Sequence, residues 1–346
     1  MKNGGFGMFR SARYLISLLL VLPLLAVLGT ASAQSGGGKL EQIHVFGPSL
    51  EGNLEGDDPN REVFVYLPPS YASSPNRRYP TVYFLHGYSV GADRYVEMTG
   101  MPGAADEAIA NGVREMIIVM PDGNSIYNGS MYSNSPTTGD WESYIADDLV
   151  GYIDAHYRTV AERGSRGLSG HSMGGYGTVR IGMKRPEVFG AIYAMSACCL
   201  MNQAPSQEAV EQDMARAANG PPDGSGFANA RFAQAAAWAP DPANPPYYID
   251  WPYKDGELQP IVAAKWLANS PLVMIDQYLP SMKSFSGIFI DVGDQDSLMA
   301  TNKQLSESLD RLGVAHGFEI YEGNHVNRVG QRFRENVLPF FSEHLD

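Results

Sequence analysis

The chain has 346 residues, 44% of them hydrophobic, and a formal charge of −13. That is enough apolar material for a large core, and an acidic balance of this size argues against nucleic acid or an anionic membrane surface as a partner. The two cysteines, Cys198 and Cys199, are neighbours, so they staple no distant parts of the fold, and no cluster of Cys or His spells out a metal site. Adjacent Cα atoms lie about 3.8 Å apart, below the usual disulfide range, so the pair is either two buried thiols or a strained vicinal disulfide.

In chain order, residues 1–33 read as a secretory signal peptide. Lys2, Arg10 and Arg13 form a positive start, Leu15 to Leu28 is an apolar run, and Ala31-Ser32-Ala33 is a small-residue cleavage site. The run falls short of the ~20 apolar residues that a membrane span needs, and Pro23 interrupts it. Because the leader holds those three basic residues and no Asp or Glu, its removal takes the charge from −13 to −16. Residues 34–346 then form one α/β domain, with no integral membrane segment, delivered to the periplasm or secreted.

Gln34 to Lys39 is a Gly-rich leader expected to be disordered. The alternating, β-branched stretch Arg61 to Leu67 predicts a strand, and the apolar runs Thr81–Leu85 and Met116–Met120 predict buried ones. Ala104 to Ala110 reads as a helix, and Asp140 is placed to cap another from Trp141 to about His156. Gly167 to Gly170 leads into a helix from Tyr176 to Lys184, which ends before Pro186. Ala191–Met195 and Gly287–Val292 are further strands. A helix from about Thr301 to Leu312, a strand Phe318–Tyr321 and a helix from about Val329 to His344 complete the chain. Strands alternating with helices predict an α/β fold with a mostly parallel sheet covered on both faces. Residues 202–270 break the rhythm as a Pro- and aromatic-rich insertion. They are expected to form a cap over the site, with Trp251 as a substrate-binding residue.

Gly170-His171-Ser172-Met173-Gly174 matches the G-x-S-x-G pattern of a nucleophile elbow. A turn that tight, from strand into helix, leaves no room for a Cβ two residues to either side of the serine. A serine hydroxyl needs a base, and in this fold order the partners follow as acid and then His. Of the seven histidines, only His325 falls in a loop after the last strand, in Glu322-Gly323-Asn324-His325. The acid belongs in the loop after the preceding strand, where Asp291, Asp294 and Asp296 lie close together. Asp291 ends the strand and Asp294 serves the loop, which leaves Asp296. A Ca²⁺ loop is a poor match, for the spacing and the downstream bidentate Glu are wrong. Two backbone N–H groups complete the set as oxyanion donors. Met173 supplies one from the elbow, and Tyr88 the other, where Gly87 lets the chain turn after Leu85; His86 is then structural.

With Tyr66-Leu67-Pro68-Pro69-Ser70-Tyr71, Leu85-His86-Gly87-Tyr88, Gly170 to Gly175 and Gly293-Asp294-Gln295-Asp296, the chain resembles the putative esterase family. That family includes S-formylglutathione hydrolase (esterase D), feruloyl esterases and mycolyltransferases. The resemblance covers roughly residues 45–345 and is weakest over 202–270. It implies an α/β-hydrolase fold and serine ester chemistry without cofactor or metal, acting on a small-molecule or carbohydrate-linked ester. Its Gly-x-x-Asp pattern maps onto Gly293 and Asp296. The expected catalytic set is therefore Ser172, Asp296 and His325, with Tyr88 and Met173 binding the oxyanion. An acyltransferase of the same fold is the alternative, and a catalytically inactive binding protein a more distant one.

Overall fold

The computed structural model describes Met1, residues 36–217 and residues 226–346. The leader beyond Met1, together with Gln34 and Ser35, lies outside the described residues. Eight strands form the central sheet: β1 (Lys39–Phe46), β2 (Asn60–Leu67), β3 (Thr81–Leu85), β4 (Ile117–Pro121), β5 (Arg166–His171), β6 (Ala191–Met195), β7 (Gly287–Gly293) and β8 (Gly317–Tyr321). Their spatial order is β1-β2-β4-β3-β5-β6-β7-β8. β2 runs antiparallel to both its neighbours, and every pairing from β4 to β8 is parallel.

The central strands are buried along their whole length, which is why they appear in the sequence as unbroken apolar runs and not as alternation. Successive side chains still point to opposite faces. Val119, Tyr83, Leu168 and Ile192 join a core on one face, and Ile118, Val82, Phe84 and Tyr193 a core on the other. β5 is the exception in composition. Its Gly167 packs under the Phe341 ring, where a Cβ would overlap, so a small residue stands where an apolar one would otherwise be expected.

Several expectations shift. β1 has no counterpart among the expected strands, and Lys39 opens it in place of a disordered leader; the Gly38 N–H also donates to Asp106 Oδ1 at 2.7 Å. The strand expected at Met116–Met120 sits one residue later. The helix Ala92–Thr99 has no counterpart among the expected elements, and the helix after Ser172 starts at Met173, not Tyr176. Asp140 precedes the next helix but makes no side-chain cap. That helix runs over 141–156 with a π-turn at Tyr144–Leu149.

The insertion between β6 and β7 is ordered over its described part. Helices Gln207–Arg216, Ala230–Trp238 and Pro260–Ala268 and a small ribbon of Tyr253–Lys254 with Glu257–Leu258 build it. It is tied to the body by Ser135 Oγ donating to the Ala236 carbonyl (2.5 Å), Thr137 Oγ1 to Tyr248 (2.6 Å) and Tyr176 OH to Asn269 (3.0 Å). Because β3 and β5–β8 are parallel, the loops after their C-terminal ends open at one edge of the sheet, and the candidate residues lie there.

Candidate active site

Ser172 sits between β5 and the helix Met173–Lys184 at φ 58°, ψ −113°, a backbone conformation that L residues avoid. The surroundings enforce it. A Cβ on Gly170 would overlap the Gly174 backbone, and one on Gly174 would overlap the Leu85 carbonyl. Ser172 N–H donates to the Met195 carbonyl, while its own carbonyl accepts from the Tyr176 and Cys198 N–H groups, each at 3.0 Å. The strained turn lifts Oγ out at the open edge of the sheet.

His325 Nε2 lies 3.0 Å from Ser172 Oγ, and its Nδ1 lies 2.8 Å from Asp296 Oδ2. Asp296 also accepts from the Leu298 N–H at 2.9 Å. Burial alone would raise its carboxyl, but the His325 imidazole and the Leu298 N–H outweigh that and hold it below the usual carboxylate range. Asp294 points elsewhere: its Oδ1 accepts the Gly323 N–H at 3.0 Å, and its own N–H donates to the Tyr321 carbonyl at 2.8 Å. It pins the acid loop to the histidine loop. Asp291 lies within β7, bound to Arg332 Nε (2.8 Å) and Tyr193 OH (2.7 Å).

The neighbouring histidines are fixed in place by what they touch. His171 Nε2 is 2.7 Å from the His325 carbonyl, which can only accept, so Nε2 carries the proton and Nδ1 accepts from Tyr95 OH at 2.6 Å. Burial, followed by the nearby His325, pushes the His171 imidazole down to about 3. His171 thus holds the main chain of His325 in place. His86 Nε2 accepts the Gly123 N–H at 2.7 Å, so its Nδ1 donates to the Gly87 carbonyl at 2.7 Å, a structural tie. Among the described residues, no group of three or more His, Cys, Asp or Glu is arranged to hold a metal ion.

The His86-Gly87-Tyr88 turn passes directly over the serine, since a Cβ on Gly87 would lie 3.3 Å from Ser172 Cβ. The Met173 N–H, at the first position of its helix, has no partner within it. Ser172 opens into a cavity of about 170 Å³ with Tyr88, Met131 and Phe227 as its larger walls and Cys198, Cys199 and Gln234 beside them. The Tyr88 ring lies tilted by 36° against Phe227 with centroids 5.6 Å apart, and its hydroxyl donates to the Tyr127 carbonyl at 2.6 Å. Sequence reasoning passed over Phe227, Gln234 and Met131, which carry no motif. The two cysteines are half-buried walls of this cavity and not thiols sealed in the core.

Trp251 is not among the residues around Ser172. It is 8% exposed and packs edge-on against Phe232 at 5.2 Å, which in turn lies tilted against Tyr127 at 5.3 Å. Its exposed part faces a separate cleft of about 690 Å³ shared with Tyr253, Asp241 and Asp250. That cleft is larger than the one at Ser172 but contains no nucleophile–base pair, so the chemistry selects the smaller cavity.

The family profile described as Putative esterase matches residues 58–336. The chain belongs to the putative esterase family. A curated relative of this putative esterase, an esterase of Mycobacterium tuberculosis, is 34% identical over 129 residues, covering 36% of this chain and 26% of that protein. An endo-1,4-beta-xylanase/feruloyl esterase of Xylanibacter ruminicola is 34% identical over 133 residues, covering 36% of this chain and 18% of its own length. The match thus spans about a quarter or less of these relatives. Among solved structures, a ferulic acid esterase superposes with a TM-score of 0.67 at 22% identity, over 90% of this chain and 99% of that one. An S-formylglutathione hydrolase of Staphylococcus aureus superposes with a TM-score of 0.58 at 18% identity, over 89% and 100%. At such identities these structures establish the shared α/β-hydrolase fold.

Proposed function

We propose that the protein is a carboxylic ester hydrolase that works through an acyl-enzyme on Ser172. The observation that carries this reading is the continuous chain from Ser172 Oγ to His325 Nε2 at 3.0 Å and from His325 Nδ1 to Asp296 Oδ2 at 2.8 Å. Ser172 Oγ attacks the ester carbonyl as its proton passes to His325 Nε2. The Tyr88 and Met173 N–H groups receive the developing oxyanion. The tetrahedral species collapses, His325 returns the proton to the leaving alkoxide, and the acyl group remains on Oγ. Water, deprotonated by the same imidazole, then attacks the acyl carbon and releases the acid. Asp296, kept ionised, holds Nδ1–H and so keeps Nε2 free to accept.

A cavity of about 170 Å³ suits a short acyl chain or a single aryl ring, since a cavity near 150 Å³ can hold benzene. The aromatic walls Tyr88 and Phe227 favour the planar ring, in keeping with relatives named as feruloyl esterases. The basic, apolar and small-residue order of residues 1–33 supports export, with the working enzyme in the periplasm or outside the cell.

A fluorophosphonate probe tests the nucleophile directly. Labelled protein, digested and sequenced by mass spectrometry, should carry the adduct on Ser172. Intact protein that takes no label, or takes it on another serine, overturns the mechanism.

A further inference from the structure

The segment after β6 carries both cysteines, and its backbone is pinned residue by residue up to them. Ser196 N–H donates to the Asp291 carbonyl at 2.8 Å. Asn302 grips Ala197 twice, accepting its N–H at 3.1 Å and donating to its carbonyl at 2.9 Å. Cys198 N–H then donates to the Ser172 carbonyl at 3.0 Å. With the chain held this way, Cys199 adopts φ 58°, the left-handed region that a residue with a Cβ enters only under constraint. The two sulfurs meet at 2.7 Å, within about 0.7 Å of a covalent S–S bond. They do so at the wall of the Ser172 cavity, where Gln234 Nε2 from the insertion approaches Cys199 Sγ at 3.8 Å.

We propose that Cys198 and Cys199 are a redox modification site of the acyl pocket, which a protein or small-molecule disulfide oxidises to a vicinal disulfide that alters acyl selectivity. The proposal rests on Ser172 being the acylated residue. One cysteine thiolate attacks the oxidant R–S–S–R, whose S–S bond breaks to leave RS⁻ and a mixed disulfide. The neighbouring thiolate then attacks the cysteine sulfur of that mixed disulfide, closes the ring and expels the second RS⁻. The pair loses two protons and two electrons, and the oxidant takes them up as two RSH. Closure removes two S–H groups and fixes two side chains that could otherwise rotate. The wall beside Ser172 becomes rigid, in a cavity too small to absorb the change elsewhere. An aryl-acyl group fills more of the cavity than acetyl and so meets more of its walls.

The test uses the full protein, reduced or treated with oxidised glutathione. Each form is read by intact mass, by maleimide labelling, and by hydrolysis of an acetyl and a bulky aryl-acyl ester that share one leaving group. With two cysteines in the chain, labelling has no background. The oxidised form should lack two hydrogens and take up no maleimide. Its ratio of kcat/KM for the aryl-acyl ester to that for acetate should shift by roughly fivefold or more and return with dithiothreitol. The double variant Cys198→Ser, Cys199→Ser should show the same ratio with and without oxidant, whatever its own rate. Thiols that stay labelled by maleimide, a lasting glutathione adduct in place of the ring, or a closed ring with an unchanged ratio would each overturn the proposal. Reduced protein that takes no fluorophosphonate at Ser172 would instead overturn the esterase reading and the selectivity half with it. Mass and labelling still decide ring closure in that case, because neither needs turnover.

Discussion

Asp294 and Asp296 stand two residues apart on one loop, and the difference between them is where each carboxylate finds its hydrogen. Asp296 faces the imidazole, and Asp294 faces the Gly323 N–H. An amide at 296 would present a donor or a weak acceptor to Nδ1 and let the imidazole adopt the wrong tautomer. Asp296→Asn should therefore lower kcat by on the order of 10³–10⁴. An amide oxygen at 294 still accepts the Gly323 N–H, so Asp294→Asn should stay within about tenfold of the parent. Steady-state kinetics on the two purified variants decides this, and equal losses would mean that the acid has been misassigned. That Ser172, His325 and Asp296 come together was legible in the sequence, because each carries a positional signature: a Gly-flanked elbow, a loop after the last strand, a Gly-x-x-Asp turn. The cavity walls were not. Met131, Cys198 and Phe227 come from separate loops whose meeting depends on the packing of the insertion, and Phe227 has no neighbour pattern to mark it.

At the scale of elements, the helix over 141–156 is locked to the nucleophile helix through Glu142. This buried carboxylate accepts from Arg180 Nε at 2.8 Å and Lys184 Nζ at 2.5 Å. Burial works against its charge, but the two cations prevail and lower its carboxyl below the ordinary value. A carboxyl depressed in the folded state contributes stability above its unfolded value, about 4.3, and loses it as pH falls through the folded one. Glu142→Gln should thus cost about 3 kcal/mol near neutral pH by leaving Arg180 unpaired. The gap between the two Tm values should narrow well below pH 4. A gap that stays constant with pH would show that Glu142 acts by shape alone. The insertion invites a similar test. Trp251, expected from its aromatic setting to touch substrate, instead edges onto Phe232 and through it onto Tyr127. Trp251→Ala should cost about 3–5 kcal/mol of stability and leave the ratio of kcat/KM for aryl-acyl and acetyl esters unchanged. A changed ratio at equal stability would place Trp251 at the substrate after all. Aromatic content reveals that a segment packs, but not against what, and here Trp251 packs on Phe232 of the insertion itself, which in turn meets Tyr127 of a body loop far back in the chain.

For the whole molecule, fold class followed from the alternation of apolar runs and helices, because buried parallel strands must be apolar on both faces. The strand order did not follow, since it depends on which crossovers the chain takes. β1 was hidden because its outer position leaves it half polar. What the fold achieves is convergence: loops after β3, β5, β7 and β8 bring Tyr88, Ser172, Asp296 and His325 to one edge. We propose that this convergence makes Ser172 the group that is acylated. The most direct test is p-nitrophenyl acetate hydrolysis by Ser172→Ala, compared with the parent protein at matched circular dichroism and Tm. The variant should lose at least ~10³ in kcat/KM, and a folded Ser172→Ala protein that keeps a near-parental rate would exclude Ser172 as the acylated group.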